Sequence, residues 1–222
     1  MSISDWKERE KEQRRNDIIS AAQKLFASKG YENVSMDDIA NEIKLGKATL
    51  YRYFKSKESL YFAVVLRGAR INHTMVMGAV KKARTGAERL AAVANASIAF
   101  RKKYPEYNQL NNYYYSGRFD LDSLINTDDA AETIDSQTVK ENSRLTWEVF
   151  EAGYSAIKTG REDGTILPGM DSVELTIILS LIAYSLQNLS PMYKRLLEHV
   201  GIDHEQFITD AQAFAYQNIL NK

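Results

Sequence analysis

The segment GKATLYRYFKSKESL, residues 46–60, combines cations, hydroxyl groups and aromatic rings. A buried helix avoids so many cations, and a surface loop avoids so many rings. If Leu50 and Phe54 share the buried face of a helix at i and i+4, the other residues of that helix point outward. The outward residues are Lys47, Ala48, Thr49, Tyr51, Arg52 and Tyr53. Their side chains could bind phosphate oxygens and base edges in the major groove of DNA.

Each outward residue type suits a particular DNA contact. The small Ala48 lets the backbone approach, Thr49 can reach a base edge or a phosphate, and Arg52 could pair with guanine. Ser56 is a candidate cap for the next helix, which places Lys57 beside free amide groups that favour a phosphate. The alternative for Tyr51 and Tyr53 is that they pack against neighbouring side chains.

Two helices must come first to position this segment. One carries Ile18, Ala22, Leu25 and Phe26 on a single stripe and ends at Gly30. Its charged extension, residues 7–15, is interpreted as a solvated helical lead-in, with a DNA-contacting arm as the alternative. The second helix begins at the cap Ser35, with Asp37 and Asp38 in its first turn. A tight turn at Leu45-Gly46, which we attribute to the glycine, then leads to a third helix from about Lys47 to Phe54. The second helix, the turn and the third helix together form a helix-turn-helix pattern.

The segment VSMDDIANEIKLGKATLYRYFKSKESLYFAV resembles the DNA-binding signature of the tetracycline-repressor (TetR) family, and the resemblance extends over roughly Ile18 to Val65. It departs at the turn, where the usual Ala-Gly-Val-Ser is Ile43-Lys44-Leu45-Gly46. The resemblance implies that Ser35, Thr49, Tyr51 and Lys57 contact the DNA backbone. It also implies that Lys47, Ala48, Arg52 and Tyr53 are recognition-helix positions.

The remaining residues, about 67–222, contain no pattern typical of catalysis, and we expect no enzyme activity and no cofactor. The three histidines, His73, His199 and His204, are not spaced to place two on one helical face, so we expect no metal site. The alternative is an enzyme that happens to carry a helical motif. The lack of a plausible nucleophile and base pair in the sequence disfavours this alternative.

The segment Val173 to Leu189 is apolar on nearly every side and therefore needs cover from two directions. A second copy of the chain could supply that cover, and a dimer also suits a DNA reader whose single helix buries little surface. The final helix, Glu205 to Leu220, offers a second apolar stripe. We expect a homodimer formed through helices near 173–189 and 205–220, as the resemblance also implies, whereas the alternative places both helices in the core of a monomer.

The middle of the chain combines small residues with large aromatic ones, and these could line an apolar pocket for a small-molecule effector. The candidates are Met75, Met77, Tyr113, Tyr114, Phe119, Trp147, Phe150 and Tyr154. Ordinary core packing is the alternative for each of them. The family resemblance implies a pocket in this region.

Composition sets the wider limits. The chain has 222 residues, no cysteine and only three prolines, and no run in it is typical of a strand. We expect an all-α protein of about nine to ten helices, with a DNA-binding domain at 1–66 and a ligand-sensing and dimerisation domain at 67–222. Residues 1–67 carry 13 Lys and Arg against 10 Asp and Glu, a weakly basic balance. The longest apolar run, residues 176–186, is too short to span a membrane, and no secretion signal opens the chain, so we expect a cytoplasmic protein.

Together these patterns predict a ligand-responsive transcriptional regulator, with repression as the default outcome. It would bind a palindromic double-stranded DNA operator as a homodimer and be released by a small, largely apolar effector. The alternative is a DNA-binding regulator or architectural protein whose middle region is solid core.

Overall fold

The computed structural model describes residues 3–128 and 133–221, and within these ranges the chain forms eleven α-helices and no strand. The helices are α1 Ile3–Lys29, α2 Met36–Glu42, α3 Lys47–Tyr53, α4 Lys57–Val80, α5 Gly86–Lys103, α6 Glu106–Tyr114, α7 Leu121–Ile125, α8 Ile134–Glu162, α9 Ser172–Gln187, α10 Pro191–His199 and α11 His204–Gln217.

The predicted all-α fold is confirmed, with one helix more than the upper end of the expected count. The five-residue α7 was not predicted. Asp120 is its N-cap: the Asp120 carboxylate accepts a 3.2 Å hydrogen bond from the backbone amide of Ser123.

The chain divides into two compact units that do not follow sequence order. Unit 1 comprises residues up to His73 together with Ala99–Thr146, and unit 2 comprises Thr74–Ile98 together with Trp147–Lys222. The predicted boundary between residues 66 and 67 lies inside α4, which continues to Val80. The division into domains 1–66 and 67–222 therefore stays a prediction.

The core of unit 1 begins with the predicted stripe of α1. Ile18 and Phe26 are buried there. The core also contains the buried side chains of Ile39 from α2, Leu50 from α3 and Leu60 from α4. The helix ends as predicted, since Gly30 has a φ of +79°. The charged lead-in, residues 7–15, is helical and almost entirely exposed.

Helix α6 also belongs to unit 1 and packs closely against α4. A Cβ atom on Gly68 of α4 would lie 2.4 Å from the ring of Tyr107, so only glycine allows this approach. Tyr107 is buried, and its hydroxyl donates a 2.9 Å hydrogen bond to Gln23 of α1. Arg67 donates to both Tyr107 and Gln23, which ties α1, α4 and α6 together.

Unit 2 is organised around a cluster of buried apolar residues from four segments. The members are Leu90, Ala156, Ile157, Ile166 and Leu175. Helices α5 and α8 touch through backbone, because a Cβ on Gly86 would lie 2.0 Å from the backbone nitrogen of Gly160. A capping box of Thr85 and Glu88 begins α5, with the Thr85 hydroxyl accepting a 3.2 Å hydrogen bond from the Glu88 amide.

No single helix in the described ranges is long and apolar enough to cross a membrane. Helices α9 and α10 reach the required apolar length only as a pair, and they are bent by 71°.

Candidate nucleic-acid interface

Helix α2 begins at the predicted cap. The Ser35 hydroxyl accepts a 3.1 Å hydrogen bond from the Asp38 amide, and the Asp38 carboxylate accepts a 2.8 Å hydrogen bond from the Ser35 amide. These bonds to Ser35 lower the pKa of Asp38. The side chain of Ser35 is thus already engaged in the cap. Met36, Ile39 and Ala40 are buried, so α2 has the predicted inward face.

The turn between α2 and α3 differs from the prediction. Gly46 has an ordinary φ of −62° and serves as the N-cap of α3 without a side-chain hydrogen bond. The left-handed residue is Lys44, with a φ of 52°. The attribution of the turn to Gly46 is therefore wrong, because a side chain with a Cβ occupies the position at which glycine would relieve strain.

Helix α3 turns the expected faces inward and outward. Leu50 is fully buried, and Phe54, which caps the end of the helix one residue beyond Tyr53, is 4% exposed. The guanidinium of Arg15 lies 5.1 Å from the centre of the Phe54 ring. The six predicted outward residues of the helix are all exposed or partly buried, and Tyr51 is 38% exposed.

The cations of this face have partners within the chain. Lys47 forms a 2.8 Å ion pair with Asp37. The ammonium of Lys57 donates a 2.9 Å hydrogen bond to the backbone carbonyl of Tyr31 and lies 4.2 Å from the centre of its ring. Arg52 lies 5.9 Å from the ring centre of Tyr53. The contacts with Tyr31 restrict the Lys57 side chain, whereas the exposed Lys47 ion pair is weak.

An open depression of about 490 Å³ lies where α2, α3 and α4 begin. Ser35, Lys47, Tyr51 and Lys57 line it, which brings together four of the eight predicted DNA-binding residues. Ala48, Thr49, Arg52 and Tyr53 lie on α3 outside the lining. Two ammonium groups in one depression suit a phosphate, although the carboxylates of Glu32, Asp37 and Asp38 line the depression as well.

Glu32 also lines the depression and was missed by the sequence analysis. Its carboxylate accepts a 2.6 Å hydrogen bond from the hydroxyl of Tyr113 and pairs with Arg118 at 3.0 Å. Tyr113 and Arg118 belong to the segment NNYYYSGRF, more than 80 residues away in sequence. No sequence pattern joins them to Glu32, although the clustering of aromatic residues in that segment indicated a special role.

Tyr31, beside Glu32, belongs to an aromatic cluster in unit 1. Its ring centre lies 4.9 Å from that of Tyr61, 5.1 Å from that of Tyr113 and 5.4 Å from that of Phe119. Burial raises the pKa of Tyr31 to about 12. The cluster therefore links α6 and its following loop to the residues just before α2.

The predicted pocket residues fall in both compact units. Tyr113, Tyr114 and Phe119 are in unit 1 and contact other aromatic rings there. The unit 2 candidates are Met75, Met77, Trp147, Phe150 and Tyr154. Trp147 is 62% exposed and packs against Phe150. Their role in ligand binding stays a prediction.

Residues 18–64 match the family model described as bacterial regulatory proteins, tetR family. Residues 18–64 are therefore similar in sequence to the TetR-family regulators. An HTH-type transcriptional regulator of Staphylococcus aureus is 49% identical to this chain over 53 residues, which are 24% of the chain and 29% of the relative. The transcriptional activator FasR of Mycolicibacterium smegmatis is 32% identical over 90 residues, 40% of the chain and 41% of the relative.

Solved structures resemble this chain in fold over most of its length. A transcriptional regulator from Saccharomonospora viridis in complex with choline has a TM-score of 0.72 at 19% identity, covering 95% of this chain and 100% of that one. AibR in complex with isovaleryl coenzyme A and operator DNA has a TM-score of 0.62 at 20% identity, covering 80% and 87%. At these identities the likeness concerns the fold.

The matches to the two curated relatives span less than half of their lengths. The two curated relatives are named as transcriptional regulators, in agreement with the expectation of no enzyme activity. No group of three metal-ligating side chains occurs in residues 3–128 and 133–221.

Proposed function

We propose that the chain is a homodimeric, ligand-responsive regulator, most simply a repressor, that binds a palindromic operator and is released by a small effector. The observation that carries this proposal is α3, a short helix fixed by buried Leu50 and Phe54 with cations, hydroxyls and aromatic rings outward. Such a helix can enter a major groove.

Operator binding is supported by the depression beside α3. Lys47 and Lys57 stand at its edge, held by Asp37 and Tyr31, and the N-terminus of α2 opens into it. A phosphate placed there would accept hydrogen bonds from both ammonium groups in competition with Asp37 and the Tyr31 carbonyl. AibR, which shares the fold, has been crystallised with operator DNA.

Dimerisation is supported by apolar side chains exposed on the last three helices. On α9, Leu181 is 59% exposed while Leu175 on its other side is buried. Met192 of α10 and Phe214 of α11 are also exposed, at 65% and 72%. Monomeric proteins rarely expose so many large apolar side chains on neighbouring helices. We therefore infer that a second copy of the chain packs against them. The involvement of α10 extends the predicted interface beyond residues 173–189 and 205–220.

Effector binding is supported by the structural neighbours, which have been crystallised with choline and with isovaleryl coenzyme A. An effector that binds better to a conformation with a different separation of the two α3 helices would lower operator affinity. By linkage, the operator would lower effector affinity by the same factor. FasR is an activator, so the direction of regulation has to be measured. A DNA-binding regulator of this kind would act in the cytoplasm.

The decisive experiment is selection of bound fragments from random and genomic DNA by the purified full-length chain. We expect a two-fold symmetric site with half-sites about one helical turn, ~34 Å, apart. Arg52→Ala on α3 should lose that selection, whereas Lys103→Ala, an exposed cation of α5, should keep it. Sequence-blind binding, or equal selection by both variants, would reject the proposed function.

A further inference from the structure

The face of α1 that is buried in the second half of the helix becomes cationic in the exposed first half. The buried stripe consists of Ile18, Ala22, Leu25 and Phe26. Eleven residues before these lie four cations, which we call the cationic stripe: Lys7, Lys11, Arg14 and Arg15. Because eleven residues complete three turns of an α-helix to within about 20°, the cationic stripe lies on the same face as the buried one.

Charges in this part of α1 are separated by face rather than paired. Lys7, Lys11 and Arg15 follow one another at i, i+4 and i+8, and Glu8 and Glu12 form the adjacent row. Opposite charges at i and i+4 stabilise an exposed helix, whereas like charges in these positions destabilise it. The arrangement of these two rows therefore costs the helix some stability, which a partner for the cations would offset.

The two rows face different parts of unit 1. The guanidinium of Arg15 lies 5.1 Å from the ring centre of Phe54, the residue directly after α3. Glu12 faces α4, since hydrogen bonding to Glu141 and, to a smaller extent, the charge of Glu12 raise the pKa of Arg70. The acidic row thus has a cationic neighbour within the protein, and the cationic stripe lies on the side where α3 ends.

Three of the four cations are accessible to a ligand. Lys7, Lys11 and Arg14 are exposed, and none of them forms a hydrogen bond or ion pair within the part of the chain that the structure describes. Arg15 is partly buried. From Arg15 to Lys7 the helix rises ~12 Å, which is about the width of the major groove of DNA. A cationic stripe of this length beside α3 can reach phosphates at the edge of the groove that α3 enters.

We propose that Lys7, Lys11 and Arg14 bind phosphates of the DNA backbone that flank the groove entered by α3, and that Arg15 positions them through its contact with Phe54. Contacts with phosphates add affinity and fix the orientation of the protein without reading the sequence. This inference rests on the proposed operator binding and extends the DNA-binding surface from the helix-turn-helix to the charged lead-in of α1.

The test compares two triple variants of the full-length chain that lose the same charge. The lead-in variant combines Lys7→Gln, Lys11→Gln and Arg14→Gln. The control variant changes two lysines and one arginine that are exposed in the turn after α4, by Lys81→Gln, Lys82→Gln and Arg84→Gln. Glutamine has a helix propensity close to that of lysine and arginine, so α1 should persist. Circular dichroism and Tm establish that both variants fold.

Fluorescence anisotropy titrations of the best selected fragment and of scrambled DNA, at several salt concentrations, measure the effect. In the lead-in variant the slope of log binding constant against log salt concentration should decrease in magnitude by about 0.9 for each lost contact, or about 2.7 per subunit. Affinity for both DNAs should fall by the same factor. The control variant should keep the wild-type slope, and so should Lys7→Arg combined with Lys11→Arg and Arg14→Lys, which retains the charges.

Three results would overturn the proposal. They are an unchanged slope in the lead-in variant, an equal decrease in the control variant, and a lead-in variant that becomes monomeric in light scattering, which would assign the cationic stripe to contacts between copies of the chain. Sequence-blind binding by the wild-type chain would reject the regulator proposal, but its salt slope would still test the lead-in. A symmetric selected site together with an unchanged slope in the lead-in variant would reject the cationic stripe alone.

Discussion

The hydroxyl of Tyr113 in α6 donates a 2.6 Å hydrogen bond to the carboxylate of Glu32, at the rim of the depression beside α2. The bond joins a helix outside the predicted DNA-binding domain to the segment that precedes the helix-turn-helix. The carboxylate of Glu32 also pairs with Arg118. A segment that was predicted to line a pocket therefore contacts the candidate DNA-binding face.

Tyr113→Phe tests this link. The variant keeps the ring, which packs 5.1 Å from that of Tyr31, and removes only the hydroxyl. We expect the free energy of unfolding to fall by about 0.5 to 1 kcal/mol, at the low end for a hydrogen bond because the groups are partly exposed to water. Urea denaturation measures the change. In a Glu32→Gln background the same substitution should have a clearly smaller effect, and an equal effect would show that the hydroxyl acts elsewhere.

The turn before α3 provides a second prediction. The left-handed backbone conformation of Lys44 is sterically unfavourable for a residue with a Cβ, whereas glycine adopts it freely. Glycine offsets part of this advantage because it loses more conformational entropy on folding. Lys44→Gly should therefore raise the free energy of unfolding by about 0.5 to 1 kcal/mol. Lys44→Ala, which removes the long side chain but keeps a Cβ, should give no such gain. Thermal or urea unfolding of the two variants decides the point, and an equal gain in both would locate the strain in the side chain.

Lys57 and Arg52 are predicted to have different roles on DNA. Lys57→Ala should weaken binding about equally for all sequences. It should also reduce the slope of log binding constant against log salt concentration by about 0.9, because one phosphate contact is lost. Arg52→Ala should change the preference among sequences by about 1 to 3 kcal/mol. Titrations of operator and scrambled DNA at several salt concentrations measure both. Stability must be measured alongside, because Lys57 also binds Tyr31. Equal loss of discrimination in both variants would contradict this division of roles.

The exposed apolar face of α9 supplies a fourth prediction. Leu181→Glu puts a charge where the partner subunit would pack, so the chain should become monomeric and lose operator affinity by at least about tenfold. Asn95→Glu, at an exposed position of α5, adds the same charge away from that face. Light scattering coupled to size exclusion gives the mass of each variant. A Leu181→Glu variant that remains dimeric would exclude α9 from the interface.

Short-range patterns were sufficient for much of the fold. The Ser35 cap, the buried pair Leu50 and Phe54, and the end of α1 at Gly30 depend on residues within one or two helical turns of each other. The strained Lys44 could not be predicted, because its conformation follows from the path between two packed helices rather than from its own preference. Contacts such as Tyr113 with Glu32 join distant segments, and periodicity within one helix carries no information about them.

The division of unit 1 into two stretches of chain has a practical consequence for protein engineering. A chimaera that joined residues 1–66 to the sensor of another regulator would leave behind α6, with Leu110, whose carbonyl accepts a 2.7 Å hydrogen bond from Tyr61. The transplanted segment would expose the rings of Tyr31 and Tyr61 to water. A graft that retains its solubility would have to carry α6 and the loop through Phe119 as well, or replace those aromatic residues with polar ones.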